Sequence, residues 1–158
     1  MAPRQVEEEL KARKISQIIN PRLVQAPPSM SVKDAIILMQ KNKAGYVIIA
    51  ERGKLTGLFT ETDVTRKILG ENIKWDAPVS EFMNTAPPIA SPDDTVFQAM
   101  VLMVKSDVYH LPLVNSKQEL VNVISVRTLV RYLAGFYPTE IYNLPPNLDQ
   151  IMQSREGG

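Results

Sequence analysis

Two stretches of the chain carry apolar residues at the spacing of one helix face. Each follows a capping-box type signal, Ser31–Asp34 in the first stretch and Thr95–Gln98 in the second, which marks the start of a helix. The sequence therefore predicts two amphipathic helices. Their apolar positions are Val32, Ala35, Ile36 and Met39 in the first and Val96, Ala99, Met100 and Met103 in the second.

Each predicted helix is preceded by an extended stretch and followed by two short apolar runs of strand length. A second helix closes each half, with Gly70 as its C′ residue in the first half and Gly135 at the matching place in the second. Each half thus reads β-α-β-β-α. The predicted strands are 46–50, 55–59, 110–114 and 120–125, with a turn at 51–54, and the closing helices are 62–69 and 127–134.

The two halves are copies of one unit. Identical residues align at an offset of 64, and at 65 after one inserted residue between Ser116 and Glu119. A unit of about 60 residues buries little surface by itself, so we expect the two units to stack their sheets back to back. The aligned pairs include Ser16 with Ser80, Asn20 with Asn84, Pro28 with Pro92, Met39 with Met103, Leu55 with Leu120 and Arg66 with Arg131.

Two extensions flank the repeat. Residues 1–14 predict a helix over 4–14, with Glu7–Lys11 and Glu9–Arg13 at the i,i+4 spacing of helix ion pairs. Residues 137–158 carry three prolines and little periodicity, which predicts an extended arm. The predicted domain organisation is a helix over 1–14, units over 15–73 and 79–136, and the arm over 137–158.

Composition excludes several classes of protein. The chain has 18 basic and 17 acidic residues, a net charge of +1, no cysteine and one histidine. It therefore offers no disulfide framework, no thiolate nucleophile and no His-rich metal site, and no general field for nucleic acid or anionic lipid. No apolar run is long enough to span a bilayer. We expect a soluble, cytoplasmic protein without nucleic-acid or membrane partners, and without a bound metal.

The junction between the last strand and the closing helix of the first unit carries candidate chemistry. It reads Gly57-Leu58-Phe59-Thr60-Glu61-Thr62-Asp63, with Thr60 at the helix N-cap and Asp63 three residues on. A helix N-terminus favours an anion, and a carboxylate can accept both hydroxyls of a ribose. The same Thr-x-x-Asp spacing also forms a capping arrangement that needs no ligand. The residues alone leave both interpretations open.

The duplicated unit, closing in its first copy with Gly57–Asp63, resembles the CBS domain, named from cystathionine β-synthase. The resemblance covers residues 15–136 and implies two α/β units related by pseudo-two-fold symmetry, a homodimer, and clefts that bind AMP, ADP, ATP, S-adenosylmethionine or NAD. It implies that Asp63 holds ribose and Thr60 lies near phosphate, although Thr62 replaces a basic residue often found before the aspartate. The residues that would line the base are Gln25, Ala26, Gly45, Tyr46 and Val47.

The second unit departs from the family pattern. It keeps a hydroxyl at Ser125, but Thr128 replaces the aspartate and Asn122 replaces the glycine. A neutral hydrogen bond is weaker than one to a charged group, so we expect this site to bind weakly, to select another ligand or to be empty. The other residues implied to line it are Ile89, Ala90, Tyr109, His110, Leu111, Pro112 and Arg127.

These observations favour a non-enzymatic regulatory module that binds an adenine nucleotide and signals to a separate partner protein. The alternative is a ligand-independent dimeric scaffold whose clefts are vestigial. The intact Thr60 and Asp63 favour the module, whereas Thr128 favours the scaffold. His110 stands in either case as a phosphate contact or as a hydrogen-bonded wall residue. No catalytic constellation is evident, so we expect no enzyme activity.

Overall fold

The structure, a computed structural model, describes residues 2–70, 72 and 74–137. The predicted C-terminal arm therefore lies outside the described residues except for Tyr137. The helices are α1 (Pro3–Ala12), α2 (Val32–Asn42), α3 (Glu61–Asp63, continued by a π-helix over Val64–Ile68), α4 (Val96–Ser106) and α5 (Val126–Ala134). The strands are β1 (Gln25–Ala26), β2 (Tyr46–Glu51), β3 (Lys54–Thr60), β4 (His110–Val114) and β5 (Leu120–Ser125).

Each unit contains an antiparallel hairpin joined by a tight turn. In the first unit, β1 pairs parallel with β2, and β2 pairs antiparallel with β3. Arg52 and Gly53 both have positive φ (52° and 78°), as the two central residues of a type I′ hairpin turn require. In the second unit β4 pairs with β5, and Ala90 makes a single parallel bridge to Leu113 where the first unit has β1.

The long helices begin and end in equivalent ways. The hydroxyls of Ser31 and Thr95 accept hydrogen bonds from the N3 backbone amides, as the capping signals predict. Lys43 and Asp107, which are 64 residues apart, both close their helix in the left-handed conformation. The closing helices differ, because α5 is a regular helix whereas α3 passes into a π-helix after one turn. Gly70 has a φ of 103°, but Gly135 stays helical at −63°.

A short segment before each unit packs into the opposite unit. We call residues 15–20 and 79–84 the leading segments. Val79 lies in the hydrophobic core of the first unit, whereas Ile15 lies in the core of the second. Backbone hydrogen bonds repeat this exchange, since the Val79 amide donates to Met30 and the Ile15 amide donates to Asp94. Each unit is therefore completed by a segment that the sequence repeat assigns to the other.

The two sheets meet through a small apolar cluster formed by Ile48, Leu58 and Val123. Each unit has a separate core beneath its own helices, and Phe59, Leu111 and Leu113 are fully buried. The α/β architecture of two packed β-α-β-β-α units is confirmed. In the part of the chain that the structure describes, no helix combines the length and the apolar character needed to cross a bilayer.

Candidate functional site

A cleft of about 1120 Å³ opens between the two units. We call it the open cleft. Its walls come from the first leading segment, the C-terminal end of α2, the starts of β2 and β4, and the N-terminal turns of α3 and α5. The lining residues used below are Asn20, Arg22, Lys43, Gly45, Tyr46, Glu61, Tyr109, His110, Val123, Ser125, Arg127, Thr128 and Arg131.

Aromatic side chains form one wall of the open cleft. The rings of Tyr46 and His110 lie 5.3 Å apart and are tilted by 50°, so the first residues of β2 and β4 meet across the pseudo-two-fold axis. Burial lowers the pKa of His110 to about 4 and raises the pKa of Tyr46 above its ordinary value. Both rings are therefore uncharged at neutral pH. Tyr109, which is 60% exposed, extends this wall towards solvent.

The N-terminus of α5 presents hydrogen-bonding groups to the same cleft. The Ser125 hydroxyl accepts from the Thr128 amide, and the two hydroxyl oxygens are 3.1 Å apart. The lining also carries the cations Arg22, Lys43, Arg127 and Arg131 against one carboxylate, Glu61. A helix N-terminus with surplus positive charge favours an anionic ligand. The open cleft can thus hold a flat ring on one wall and an anion on the other.

Thr60 and Asp63 occupy a different and closed environment. One oxygen of the Asp63 carboxylate accepts from the amide and the hydroxyl of Thr60, at 2.9 and 3.2 Å. The other oxygen pairs with Lys67 at 2.8 Å, and Lys67 also donates to the Phe82 carbonyl at 2.7 Å. Asp63 is only 9% exposed. The capping arrangement predicted as one alternative is present, and neither residue lines the open cleft.

Gly57 in the first copy is replaced by Asn122 in the second, and this difference accompanies the contrast between the closed environment of Asp63 and the open cleft at Thr128. At Gly57, a Cβ would lie 2.4 Å from the flexible Met83 sulfur and 3.0 Å from the Asn84 carbonyl oxygen, so a larger residue would have to displace Met83 and push the Asn84 backbone slightly away from β3. The matching Asn122 is buried and donates to the Asn20 carbonyl at 2.7 Å, while its own oxygen accepts from the Val123 amide. The Asn122 side chain therefore lies between β5 and the first leading segment. On the opposite side, β3 and Asn84 touch through backbone hydrogen bonds.

Comparison with known proteins identifies the repeated unit. Residues 15–70 and 79–135 each match the CBS domain. The chain belongs to the CBS domain family. A CBS domain-containing protein of Bacillus subtilis is 26% identical over 102 residues, which is 65% of this chain and 72% of that protein.

Solved CBS structures share the fold. A CBS domain protein of Pyrobaculum aerophilum, complexed with AMP, superposes with a TM-score of 0.69 at 22% identity, covering 77% of this chain and 98% of that one. The CBS domain pair of protein MJ0100, in complex with 5′-methylthioadenosine and S-adenosylmethionine, gives a TM-score of 0.70 at 22% identity, covering 77% of this chain and 96% of that one. These likenesses confirm the tandem CBS architecture.

The open cleft draws on residues predicted for both CBS sites. Gly45 and Tyr46, expected in the first site, line it together with Tyr109, His110, Ser125, Arg127 and Thr128 of the second. Successive strand residues point to opposite faces of a sheet. Four of the other predicted residues are therefore buried in the hydrophobic cores instead: Ala26, Val47, Ala90 and Leu111. The predicted residues outside the lining are Thr60, Asp63, Gln25, Ala26, Val47, Ile89, Ala90, Leu111 and Pro112.

Four residues of the open cleft were not predicted from the sequence. Arg22, Lys43 and Arg131 lie outside the family motifs, and Glu61 lies within the Gly57–Asp63 motif but had no role assigned to it. The repeat offered one signal, because Arg131 aligns with Arg66 in the first copy. Asn20 was also visible as a repeated residue, but its place beside the second unit follows from the exchanged leading segment. No group of His, Asp and Glu side chains that could hold a metal occurs among residues 2–70, 72 and 74–137.

Proposed function

We propose that the protein is a regulatory module that binds an adenine nucleotide in the open cleft between its CBS units. The observation that supports this most is the joint lining by an aromatic wall, a helix N-terminus and four cations against one carboxylate. The CBS proteins complexed with AMP and with S-adenosylmethionine add that related folds accept adenosine compounds. In this proposal the ligand is one of three adenine nucleotides: AMP, ADP or ATP.

The chemistry of each wall suggests how the ligand is oriented. The adenine lies against Tyr46 and Tyr109, because stacking on an aromatic face suits any base. The 5′-phosphate lies at the N-terminus of α5, beside Ser125 and the Arg127 guanidinium. This orientation places the ribose next to Thr128, the residue that replaces the aspartate of the family pattern.

The closed environment of Thr60 and Asp63 becomes a second, conditional site in this proposal. Its carboxylate is committed to Thr60 and Lys67, so a ribose must displace the ion pair before it can bind. Displacement costs part of the energy that the ribose contacts provide, and we therefore expect weaker binding there. In this proposal the site beside Thr128 binds the nucleotide more tightly than the site at Asp63, which is the reverse of the order expected from the family motif.

A panel of ligands on matched variants tests the proposal. Thermal unfolding is followed with AMP, ADP, ATP, NAD or S-adenosylmethionine on the wild type, Arg127→Gln, Asp63→Asn and Arg66→Gln. A ligand at 100 times its dissociation constant adds about 2.7 kcal/mol, which raises the melting temperature by several degrees. We expect Arg127→Gln to reduce the shift. Asp63→Asn keeps a capping oxygen and should retain the shift, as should the exposed control Arg66→Gln.

Two results contradict this assignment in different ways. If Asp63→Asn abolishes the shift and Arg127→Gln does not, the nucleotide binds in the closed environment that the family motif first predicted. If no ligand shifts the wild type, the protein is not a nucleotide sensor. The ligand-independent scaffold then becomes the better hypothesis, and the search turns to a protein partner.

The proposed output is a protein–protein contact, carried by a homodimer of this chain. Exposed apolar side chains on the last two helices, Val104 and Val130, offer area for such contacts. A ligand that prefers one arrangement of the units by about 1–3 kcal/mol is sufficient to change the affinity for a partner. Mass measurement by light scattering, with and without nucleotide, tests the dimer directly.

A further inference from the structure

A second cavity adjoins the open cleft behind Thr128. This side pocket has a volume of about 390 Å³ and shares Asn20, Thr128 and Arg131 with the open cleft. Its remaining lining residues are Arg13, Gln17, Ile18 and Tyr132. Thr128 therefore stands at the junction of the two cavities, and a group bound beside it in the open cleft has room to extend into the side pocket.

The side pocket is suited to an anion. None of its seven lining residues is acidic, whereas two are arginines. Arg13 is paired with Glu9, whose carboxylate also accepts from the Tyr132 hydroxyl at 3.2 Å. Arg131 is exposed and forms no ion pair within residues 2–70, 72 and 74–137. The charge available to a ligand is therefore that of Arg131, which reaches both cavities.

The first unit lacks this arrangement. Where Thr128 stands in the second copy, the first has Asp63, whose carboxylate is held by Lys67. A carboxylate at this position would repel a phosphate. Dinucleotide-binding folds show the same relation, because an acidic residue selects the free ribose hydroxyl, whereas a nearby arginine accommodates a phosphate on it.

We propose that the open cleft selects an adenine nucleotide that carries a second phosphate on its ribose, with this phosphate in the side pocket at Arg131. The inference rests on the proposed function, since the ribose must lie beside Thr128. The shared chemistry is adenosine with one phosphate at the 5′ position and another at the 2′ or 3′ position. Thr128 then acts as a specificity residue, because its small neutral side chain leaves the passage into the side pocket open.

Isothermal titration with matched ligands tests the inference. The ligands are AMP, ADP, adenosine 2′,5′-bisphosphate and adenosine 3′,5′-bisphosphate. ADP carries the same number of phosphates as either bisphosphate, so it controls for phosphate number, and the Arg131→Gln variant below controls for the extra charge of a second phosphate monoester. We expect one bisphosphate to bind about tenfold more tightly than ADP, in line with one charge-assisted hydrogen-bonded contact. The preferred isomer identifies which ribose hydroxyl faces the side pocket.

Three variants separate the side pocket from general electrostatics. Arg131→Gln should remove the preference for the bisphosphate, and so weaken bisphosphate binding about tenfold more than it weakens AMP binding, whereas the control Arg66→Gln changes neither. Thr128→Asp should reverse the preference, weakening the bisphosphate and strengthening AMP. An aspartate in the first turn of α5 is favourable to the helix, so this variant should fold.

The outcomes distinguish this inference from the proposed function. If AMP or ADP binds and neither bisphosphate binds more tightly than ADP, the ribose-phosphate inference is wrong and the nucleotide module stands. If Arg131→Gln weakens all four ligands equally, Arg131 contributes only general charge and the inference is again wrong. If none of the nucleotides binds the wild type, the proposed function itself fails.

Discussion

Asp63 stabilises the first unit as a helix cap whether or not a ligand binds there. Its carboxylate accepts two hydrogen bonds from Thr60 and pairs with Lys67 while almost buried. Asp63→Ala removes all of these interactions and should lower the free energy of unfolding by about 1–2 kcal/mol. Urea unfolding followed by circular dichroism measures this loss.

Asp93 provides the matched control. It also pairs with a lysine, Lys14, but its side chain is 80% exposed. Because exposed ion pairs contribute little, Asp93→Ala should change stability by less than about 0.5 kcal/mol. Equal effects of the two substitutions would mean that Asp63 is not acting as a cap.

His110 makes the stability of the protein depend on pH. Burial lowers its pKa to about 4, whereas an unfolded histidine titrates near its model value of 6.5. The unfolded state therefore binds the proton first, and stability is lost as pH falls from 6.5 to about 4. The charged or titratable groups that share its surroundings are Tyr46, Glu61, Arg127 and the other cleft arginines.

Urea unfolding at pH 7.5, 5.5 and 4.5 tests this dependence. The wild type should lose stability over this range, and His110→Phe should lose less, because the aromatic contact with Tyr46 is kept without the titrating group. If the two proteins show the same pH dependence, other groups carry the effect and His110 does not.

At the residue scale, the sequence reveals interactions that are local along the chain. The spacing of Thr60 and Asp63 predicts their contact, since three residues separate the two positions in a first helical turn. The acceptor at Phe82 lies 15 residues beyond Lys67 and belongs to the other leading segment. Such a contact depends on how the units pack, so no local pattern contains it. The sequence therefore predicted the contact of Asp63 with Thr60, but not the hydrogen bond that holds Lys67, the other partner of Asp63, at Phe82.

Among the elements, the hairpins were predicted best. The bounds of β4 and β5 are those expected from the apolar runs, because strand ends coincide with changes in polarity. The π-helix after α3 was not predicted, since its defining hydrogen bond, from the Leu69 amide to the Val64 carbonyl, leaves no mark on apolar periodicity. A helix was expected over 62–69, and the structure has a helix over 61–68 whose last five residues form the wider π-helix.

Asn122 joins β5 to the first leading segment, and its removal should destabilise this junction. Its amide donates to the Asn20 carbonyl and its oxygen accepts from the Val123 amide, both within 2.8 Å. Asn122→Ala leaves a buried amide and a carbonyl without these partners, at a cost of about 1–3 kcal/mol. We expect the hydrogen exchange of the Val123 amide to accelerate.

Asn115 is the control for this substitution. It also bonds backbone amides through its side chain, but in the exposed turn before β5, where water can replace the lost partners. Asn115→Ala should therefore leave the exchange of Val123 unchanged. A Val123 amide that exchanges equally slowly in Asn122→Ala and in the wild type would show that the side chain does not hold the junction.

For the molecule as a whole, the exchanged leading segments should make the two CBS units unfold together. Ile15 and Val79 are fully buried, each in the core of the unit that its own repeat does not form. Ile15→Ala and Val79→Ala should each lower stability by about 2–4 kcal/mol while keeping a single cooperative transition.

Leu69→Ala serves as the reference, since Leu69 is 62% exposed and should contribute little. Unfolding in two separate steps after either core substitution would mean that the units are stable independently. The repeat predicted two packed units correctly, but it could not predict this exchange. An internal duplication is compatible with leading segments that stay with their own unit or cross to the other.

The crossing of the leading segments also sets an order of events during synthesis. The first unit can complete its core once Val79 has left the ribosome, shortly after its own last helix. Ile15 is made much earlier, yet its partners extend from Ala90 to Leu129. At about 5–20 residues per second, the first leading segment waits several seconds for its binding site. Of the two leading segments, the one translated earlier is thus the later to reach its native place.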